Sequence, residues 1–311
     1  MVRILGFLIG LGFVVVAGVS LGFGVWTYVT TEQTETVEHE FHLEPMAIDY
    51  SFEGPFGSYD RRQLQRGFQV YREVCAACHG LNLVAFRNLH DLGYNEAEIR
   101  AIADQWPIQV PSVHPDTGEA ATRKAIPADR FPSPYPNETA ARAANNNALP
   151  PDLSLIVKAR HGGAHYVESL LMGYRDPATY RNEEGEALPA ANRPGQGLHF
   201  NPYFLNLNIA MPPPITASGQ VGYSDGTSAT PRQMAHDVSA FLAWAADPNL
   251  ERRKAWGWTV LAFLLFATIL AYLAYRNVWA TAKRGVRVTG PLDPENIAKR
   301  EAAEREAGIE G

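Results

Sequence analysis

The chain has 311 residues, of which 46% are hydrophobic and 19% charged, and its formal net charge is −6 at pH 7. This length allows one large or two small domains, and the presence of only two cysteines excludes a disulfide framework as the basis of the fold. Acidic residues outnumber basic ones between Thr31 and Leu250, which argues against a nucleic-acid partner and favours a basic protein partner.

The first predicted element is an apolar run from Ile4 to Val29. Its small residues Ala17, Gly18 and Ser20 offer only a weak cleavage site, and the run is longer than the core of a usual signal peptide. We therefore expect residues 1–30 to be either a signal peptide or an uncleaved N-terminal membrane anchor. Both interpretations export the residues that follow.

A helix is predicted from Asp60 to Val74, because apolar residues recur there at helical spacing and form one face; they are Leu64, Phe68, Tyr71 and Val74. Asp60 is of a residue type that caps helix N-termini. Gly67 has no side chain, so another helix can approach this one closely.

This helix leads into Cys75-Ala-Ala-Cys78-His79, a C-x-x-C-H sequence typical of the attachment of a c-type haem. Two thiols three positions apart on a helical turn can each add to one haem vinyl group and form two thioethers. The next residue, His79, then directs its imidazole to the iron as the proximal ligand. The motif therefore predicts one covalently bound haem c per chain.

Three other interpretations of the motif have weaker support. A zinc knuckle needs a second pair of ligands at knuckle spacing, and the later histidines His90 and His114 are not so paired. A thioredoxin-like redox pair normally follows a strand, whereas the residues before Cys75 have a helical pattern. A structural disulfide across so short a loop is disfavoured.

Past the motif, a shorter helix is predicted over Asn95–Trp106, with its first residue as the cap. The next stretch, Pro107–Pro136, is rich in proline and small polar residues and is expected to be irregular. Helical periodicity returns over Leu153–Gly173, with an interruption at Gly162-Gly163. Most of Asp176–Thr230 is expected to be loop, because glycine, proline and asparagine are frequent there.

A strong helix is predicted to begin at Thr230-Pro231, with threonine as N-cap and proline in the first turn, and to end near Pro248. Its buried stripe consists of Met234, Val238, Phe241, Leu242 and Ala245. Helices at both ends of the exported domain, one of which carries the haem motif, indicate a mainly α, cytochrome c-like haem domain with long irregular insertions. A haem core lets such a loop-rich domain bury enough apolar surface.

A second apolar run, Trp256–Tyr275, contains no charge and has about the 20 residues needed to cross a bilayer. Aromatic residues lie near its ends, as they do at membrane interfaces. We expect one C-terminal transmembrane helix over residues 254–276. Because c-type haem is attached after export, the haem domain, residues 31–250, is expected outside the cytoplasm, and residues 277–311 form a cytoplasmic tail.

The iron needs a second axial ligand, and methionine is usual in electron-transfer cytochromes because its thioether raises the reduction potential. Met211 is favoured by its loop, which three prolines stiffen, because a rigid loop orders a weak ligand at little entropic cost. Three further methionines stay open: Met46, Met172 and Met234. A second histidine is the main competitor, with the candidates His161, His165, His199 and His236.

Several segments resemble the cytochrome c1 family and follow in the order of that family. They are Arg66-Gly-Phe-Gln-Val-Tyr-Arg-Glu-Val-Cys75, Ala144-Asn-Asn-Asn-Ala-Leu-Pro-Pro-Asp-Leu-Ser154, Ala159-Arg-His-Gly-Gly-Ala-His-Tyr166, Asn201-Pro-Tyr-Phe, Met211-Pro-Pro-Pro and Asp225-Gly-Thr-Ser-Ala-Thr230. The resemblance covers roughly residues 40–283, including the final helix and the C-terminal span. Asn147 is a departure, because the family pattern often has glycine at that position.

The resemblance implies roles for individual residues. Cys75 and Cys78 would carry the thioethers, and His79 and Met211 would be the axial ligands of the iron. The haem pocket would further include a propionate-contacting arginine, a nearby tyrosine and three wall prolines, which fall on Arg160, Tyr166, Pro150, Pro151 and Pro214. An arginine suits a buried propionate because it is always charged and donates in bidentate geometry.

The resemblance also implies a function in electron transfer. The chain would be the c-type haem subunit of a ubiquinol–cytochrome c reductase (cytochrome bc1) complex, taking electrons from a Rieske iron–sulfur protein and passing them to a soluble or tethered cytochrome c. Quinol chemistry would belong to cytochrome b, so no substrate-transforming site is expected on this chain. The implied assembly is a dimeric multi-subunit complex in the bacterial cytoplasmic membrane, with a single-pass anchor and the haem domain in the periplasm.

Competing functions share the haem but differ in its use. A free-standing, membrane-anchored cytochrome c feeding a terminal oxidase would not need so long a loop-rich stretch between His79 and Met211. A haem sensor or peroxidase would need an open or labile axial position. A structural membrane protein that uses haem only to fold would assemble without any redox role.

Overall fold

The computed structural model describes residues 2–30, 36–285 and 293–306. Contacts divide the chain into two units, Met1–Glu53 with Tyr59–Pro248, and Gly54–Ser58 with Asn249–Gly311. The helices are α1 (Val2–Thr30), α2 (Val37–Phe41), α3 (Arg61–Val70), α4 (Glu96–Asp104), α5 (Glu138–Ala144), α6 (Ile156–Ala159), α7 (Gly163–Met172), α8 (Pro231–Ala246), α9 (Leu250–Gly285) and α10 (Pro294–Glu306). The strands in the described residues are β1 (Val110–Val113), β2 (Ala120–Arg123), β3 (His199–Phe200) and β4 (Asn208–Ile209). The mainly helical fold class is confirmed.

Helix α3 begins as the sequence predicts. The Asp60 side chain accepts hydrogen bonds from the backbone N–H groups two and three residues later, at 2.9 and 3.5 Å. After Val70 the backbone widens into a π-turn, Tyr71–Cys75, which is closed by a bond from the Ala76 N–H at 2.8 Å. The prediction of one regular helix to Val74 is therefore wrong in its last turn, where each hydrogen bond spans one residue more than in an α-helix.

Helix α8 lies at the centre of the first unit. The Thr230 side chain caps it by accepting the Gln233 N–H at 3.2 Å, and the whole predicted stripe is buried. A Cβ atom placed on Gly67 would overlap the carbonyl oxygen of Asp237, so α3 and α8 cross with their backbones in contact. The close helix approach predicted from Gly67 is confirmed.

Two adjacent residues of α8 join it to the helices on either side. His236 Nδ1 lies 2.8 Å from Glu168 Oε2 on α7, and the Tyr50 hydroxyl donates to the same oxygen at 2.7 Å. Asp237 receives two hydrogen bonds from Arg66 of α3, at 2.9 and 3.0 Å. Helix α8 therefore connects the helix that leads into the haem motif with the helix that precedes the Met211 loop.

Aromatic rings fill the space beside the helix crossing. The ring of Phe131 lies 4.2 Å from Phe86 and 4.9 Å from Trp106 between centroids. Tyr71, in the π-turn, lies 5.7 Å from Phe241 of α8 and 6.2 Å from Phe131. Because burial of a large apolar side chain contributes about 2 kcal/mol, these contacts fix the end of α3 in the core.

The predicted helical stretch Leu153–Gly173 consists of α6 and α7, which separate at the two predicted glycines. Gly162 and Gly163 have φ values of 78° and 56°, in the left-handed region that glycine adopts without strain. Gly173 is the C-cap of α7, and its N–H donates to the Leu170 carbonyl at 3.3 Å. The predicted interruption and end of this stretch are confirmed.

The stretch Pro107–Pro136 is not wholly irregular, and that prediction is wrong for part of it. Strands β1 and β2 pair in antiparallel register, with Val110 opposite Arg123, and Gly118 supplies a positive φ of 73° in the turn. A proline within β1, Pro111, hides the strand from a sequence pattern because proline is expected outside sheets or at their edges. A second hairpin, β3–β4, lies directly before Met211.

Among the residues that the structure describes, two helices are long and apolar enough to cross a membrane. They span Ile4–Thr30 in α1 and Leu250–Ala280 in α9, with mean hydropathies of 2.6 and 2.0. Both run over the positions of the predicted apolar segments. In the second unit, Lys254 Nζ donates to the Gly54 and Gly57 carbonyls at 2.6 and 3.1 Å, so the short segment Gly54–Ser58 is hydrogen-bonded to the start of α9.

Candidate functional site: a haem-attachment motif and a methionine loop

The two cysteines lie where α3 ends. Cys75 closes the π-turn and is half-buried, Cys78 is exposed, and both are free thiols. Burial raises the pKa of the Cys75 thiol to about 12, so it is protonated at neutral pH. Since the two thiols are not joined, the disulfide interpretation finds no support.

His79 is fixed from two sides. Its Nδ1 lies 2.8 Å from the carbonyl oxygen of Pro151, and its own carbonyl accepts a hydrogen bond from the Tyr71 hydroxyl at 3.2 Å. Burial lowers the pKa of His79, which favours the neutral imidazole that binds metals. When Nδ1 donates to a backbone carbonyl, Nε2 is the nitrogen available for a metal, and metal-binding histidines are commonly oriented in this way.

Asp152 fixes the segment that presents the Pro151 carbonyl. Its Oδ2 accepts the Asn82 N–H at 2.8 Å, and its Oδ1 accepts the Ser154 N–H at 2.9 Å. One carboxylate therefore links the residues after His79 to the residues after Pro151. The acceptor for Nδ1 is held in place by the same two chain segments that flank the imidazole.

This set of side chains fits a covalently attached haem. Two free thiols precede an imidazole whose Nε2 has no hydrogen-bond partner within the described residues. No three His, Cys, Asp or Glu side chains come together as a metal site in the part of the chain that the structure describes, so a zinc knuckle finds no ligand set. The residues before Cys75 are helical, which removes the strand context of a thioredoxin-like pair. Cys75 and Cys78 would hold the haem, and His79 would ligate its iron.

Met211 lies just after β4, in the proline-rich loop. The Tyr174 hydroxyl donates to the Met211 carbonyl at 2.9 Å. Further along, the Pro214 carbonyl accepts a hydrogen bond from Gln220 Nε2 at 2.7 Å, while Gln220 Oε1 accepts the Thr216 N–H at 3.0 Å. The loop is therefore fixed by side chains at both ends, and the Met211 side chain is half-buried.

Other candidates for the second axial ligand have competing contacts. Met234 is fully buried in α8, so protein atoms surround its sulfur. His165 engages both ring nitrogens, with Nε2 2.6 Å from Glu53 Oε1 and Nδ1 3.2 Å from the Ile48 backbone nitrogen. His236 lies within hydrogen-bonding distance of Glu168 through Nδ1. No contact of the remaining candidates favours or excludes them as iron ligands; they are Met46, Met172, His161 and His199. Ligation by Met211 stays a prediction.

Arg160 and Tyr166 lie side by side. Arg160 follows α6 and is exposed, and its Nη1 donates to the Ala159 carbonyl at 3.3 Å. Burial raises the pKa of Tyr166, and the neighbouring Arg160 guanidinium opposes that shift. Burial also raises the pKa of Tyr174, and nearby Tyr166 adds to it. Arg160, Tyr166, Tyr174 and Met211 are thus successive neighbours. The exposed guanidinium of Arg160 is accessible to an anion such as a propionate.

The three predicted wall prolines divide between the two halves of the site. The Pro151 carbonyl lies beside His79, with Pro150 directly before it in the chain, and Pro214 belongs to the Met211 loop. Asn147, the departure from the family pattern, has a φ of 62°. Asparagine is the residue after glycine that tolerates this left-handed conformation best, so the turn is kept.

Sequence reasoning missed four residues that position the site. Tyr71 and Asp152 act on the His79 side, Tyr174 acts on Met211, and Asn201 donates through Nδ2 to the Leu170 carbonyl at the end of α7, at 2.7 Å. Three of them, Tyr71, Asp152 and Asn201, lie in segments that carry the family resemblance. The resemblance marks these positions but does not indicate their hydrogen-bond partners. Each partner is distant in sequence or belongs to the backbone.

Comparison with known proteins matches residues 50–282 to the model of the Cytochrome C1 family. The chain is 43% identical over 267 residues to a mitochondrial cytochrome c1 heme protein of Solanum tuberosum, covering 86% of this chain and 95% of that protein. It is 44% identical over 242 residues to cytochrome c1 of Rhodospirillum rubrum, covering 76% of this chain and 87% of that protein. It is also 42% identical over 258 residues to a cytochrome b/c1 protein of Bradyrhizobium diazoefficiens, and this match covers 76% of this chain and 36% of that protein.

Proposed function

The chain belongs to the Cytochrome C1 family, and on this premise we propose that it relays single electrons from a Rieske iron–sulfur protein to a cytochrome c. It is a c-type haem electron-transfer subunit of a cytochrome bc1 complex and is anchored in a membrane. The observation that carries the proposal is the C-x-x-C-H motif at the end of α3, with its imidazole oriented by the Pro151 carbonyl.

The residues of this chain attach, orient and enclose the cofactor. When bound, the haem supplies a one-electron iron couple. Cys75 and Cys78 would attach it, and His79 through Nε2 and Met211 through its sulfur would ligate the iron. With both residues as ligands, the iron would favour outer-sphere electron transfer over binding of a substrate. Arg160 would supply a fixed positive charge to a propionate.

We further propose that the haem domain, residues 31–250, lies in the periplasm of a bacterium and that α9 crosses the cytoplasmic membrane. The supporting argument is the export needed for c-type haem attachment together with the apolar length of α9. Cytochrome b is the proposed neighbour in the membrane, within a dimeric complex. Helix α1 is long enough to be a second anchor if it is not removed after export.

The test is a set of leucine variants at methionines, made in the intact, detergent-solubilised complex. Met211→Leu removes the proposed thioether ligand but keeps the side-chain size. We expect it to abolish the far-red Met–iron absorption band of the oxidised haem and to admit carbon monoxide to the reduced haem. Met234→Leu is the matched control, since Met234 lies in the α8 core and should keep both properties of the unmodified protein.

Two outcomes contradict the proposal. Carbon monoxide binding to the unmodified reduced protein would show an open or labile axial position and favour a sensor or peroxidase. A Met211→Leu variant with an unchanged spectrum would remove Met211 as the ligand and turn attention to Met46, Met172 and the histidines.

A further inference from the structure

Arg66 and Asp225 each begin a segment that carries the family resemblance, have no part in the haem site described above, and contact each other. Arg66 begins the segment that leads to the haem motif, and Asp225 begins the segment that leads to α8. Arg66 Nη1 donates to Asp225 Oδ2 at 2.7 Å, while its Nε and Nη2 bind Asp237 of α8. The guanidinium also lies 5.8 Å from the ring centroid of Tyr223. One arginine thus joins α3, α8 and the loop between Met211 and α8.

A second contact joins the same loop to the same face of α3. Gln69, three residues after Arg66, donates through Nε2 to the Gly222 carbonyl at 2.8 Å. Val221, next to that carbonyl, is fully buried. Residues 221–225 are therefore joined to α3 by one hydrogen bond and one ion pair, and the segment begins with a fully buried apolar side chain.

Residues 221–225 follow directly after Gln220, whose side chain clamps the end of the Met211 loop by two hydrogen bonds. Gln220 precedes Val221, and its side-chain amide binds the Pro214 carbonyl and the Thr216 N–H. Pro212, Pro213 and Pro214 connect this clamp to Met211 with restricted φ angles. A displacement of residues 221–225 from α3 would shift Gln220 and, through the stiff prolines, Met211.

We propose that Arg66 and Gln69 are positioning residues that hold Met211 at the iron through the loop that follows it. The inference rests on the proposed function, because it takes Met211 as the axial ligand. The same helix would then position both proposed ligands: its C-terminal end leads to His79, and the face that carries Arg66 and Gln69 holds the loop that follows Met211. A thioether is a weak ligand, so small losses of loop order change how often the iron is open.

The variants are chosen to weaken the loop and spare the core. Replacing Arg66 would leave Asp237 buried and unpaired, which destabilises the whole helix pair. Asp225 is partly exposed, so Asp225→Asn removes the ion pair without opening the core. Gln69→Met keeps the side-chain length and removes the bond to Gly222, together with the exposed bond from the same nitrogen to Glu73. Asp225→Glu tests whether a restored charge rescues the effect.

The matched control is Asp129→Asn. Asp129 pairs with Arg123 at 2.6 and 2.8 Å and accepts the Ile126 N–H at 2.8 Å, as Asp225 pairs with Arg66 and accepts the Thr227 N–H. Its contacts lie within the stretch before α5, apart from the Met211 loop. Any general effect of losing one arginine–aspartate pair should appear equally in both variants.

The measurement is the rate of carbon monoxide binding to the reduced haem, with the far-red Met–iron band of the oxidised haem, in the solubilised complex. We expect Asp225→Asn and Gln69→Met each to raise this rate roughly fivefold, and the double variant to raise it further. Asp225→Glu, which keeps the negative charge, should raise the rate less than Asp225→Asn does. The Asp129→Asn protein should match the unmodified one.

The outcomes separate this inference from the function on which it rests. An unmodified protein without a Met–iron band would overturn the assignment of Met211 and hence the proposed function. A normal band that neither Asp225→Asn nor Gln69→Met alters, or equal changes in the Asp129→Asn control, would overturn the positioning role and leave the function standing. If Asp225→Asn does not fold, the Gln69→Met variant alone decides.

Discussion

Single hydrogen bonds orient the two proposed iron ligands. On the His79 side, the Pro151 carbonyl sets which ring nitrogen is available and the Tyr71 hydroxyl fixes the backbone. On the Met211 side, the Tyr174 hydroxyl holds the carbonyl of the residue whose sulfur is needed. Neither tyrosine needs to contact the cofactor to matter, because each determines where a ligand's main chain lies.

Two carboxylates are expected to make the protein less stable in acid. Hydrogen bonds from Thr227 and Arg66 lower the pKa of Asp225 from 3.8 to about 2, and the Arg123 side chain lowers that of Asp129. A carboxylate with a depressed pKa in the folded state stabilises the fold above its unfolded pKa, and this contribution disappears as the pH falls through the folded value.

We therefore expect the thermal midpoint of the solubilised protein to decrease as the pH falls from 3.8 towards about 2, as these carboxylates take up protons. Thermal unfolding at stepped pH measures this. The Asp225→Asn variant, which cannot titrate, should be less stable at neutral pH and show a shallower decrease in acid. An identical acid slope in both proteins would contradict the prediction.

At the level of secondary structure, α8 is the element on which the two halves of the site depend. It contacts α3 through Asp237 and Gly67, and α7 through His236 and Glu168. Helix α3 continues into His79, while α7 is followed directly by Tyr174, which binds Met211. A shift of α8 would therefore alter the relation between the two proposed ligands.

The α3–α8 contact predicts a strong effect of one methyl group. In Gly67→Ala the added Cβ would overlap the Asp237 carbonyl and the Phe241 Cβ, so the two helices must move apart. We expect a loss of about 1–3 kcal/mol in the free energy of unfolding, as for other overpacked cores. Thermal or denaturant unfolding of the purified protein measures it.

The control for this variant is Gly195→Ala. No heavy atom lies within 4 Å of a Cβ at Gly195, and its φ is not in the left-handed region. Its stability should stay close to that of the unmodified chain. A Gly67→Ala protein as stable as the Gly195→Ala protein would show that α3 and α8 can separate without cost.

At the scale of the whole molecule, residues 31–250 combine the haem-attachment motif with an excess of acidic residues. Acidic residues exceed basic ones between Thr31 and Leu250, whereas the segments on either side are richer in basic residues. Complementary charge on a partner speeds diffusional encounter more than it strengthens the complex. The charge distribution thus fits the proposed transient docking of a basic cytochrome c.

We expect the second-order rate of electron transfer to a basic cytochrome c to fall several-fold between low salt and physiological salt, because exposed charges are screened at that ionic strength. Stopped-flow reduction of the acceptor by the complex measures this rate. A small uncharged oxidant serves as the comparison, and its rate should change little. A salt-independent rate with the basic acceptor would exclude steering by the acidic domain.

The sequence by itself determined the elements with strong local signals. The caps at Asp60 and Thr230, the breaks at Gly162-Gly163 and the two apolar helices follow from local chemistry and periodicity, and each is present. The C-x-x-C-H motif predicted the cofactor because its chemistry lies within five consecutive residues. Resemblance to a family then supplied the function, which the comparisons support.

Only the tertiary structure decided how distant residues meet. The Pro151 carbonyl at His79, the Tyr174 hydroxyl at Met211 and the Arg66–Asp225 pair join positions far apart in the chain, and no local pattern encodes such pairs. The β1–β2 hairpin and the π-turn Tyr71–Cys75 were also not predicted from the sequence. Pro111 is atypical of a strand, and a π-turn has nearly the same apolar periodicity as an α-helix. Local propensity fixes where elements begin and end, whereas the orientation of ligands depends on packing between them.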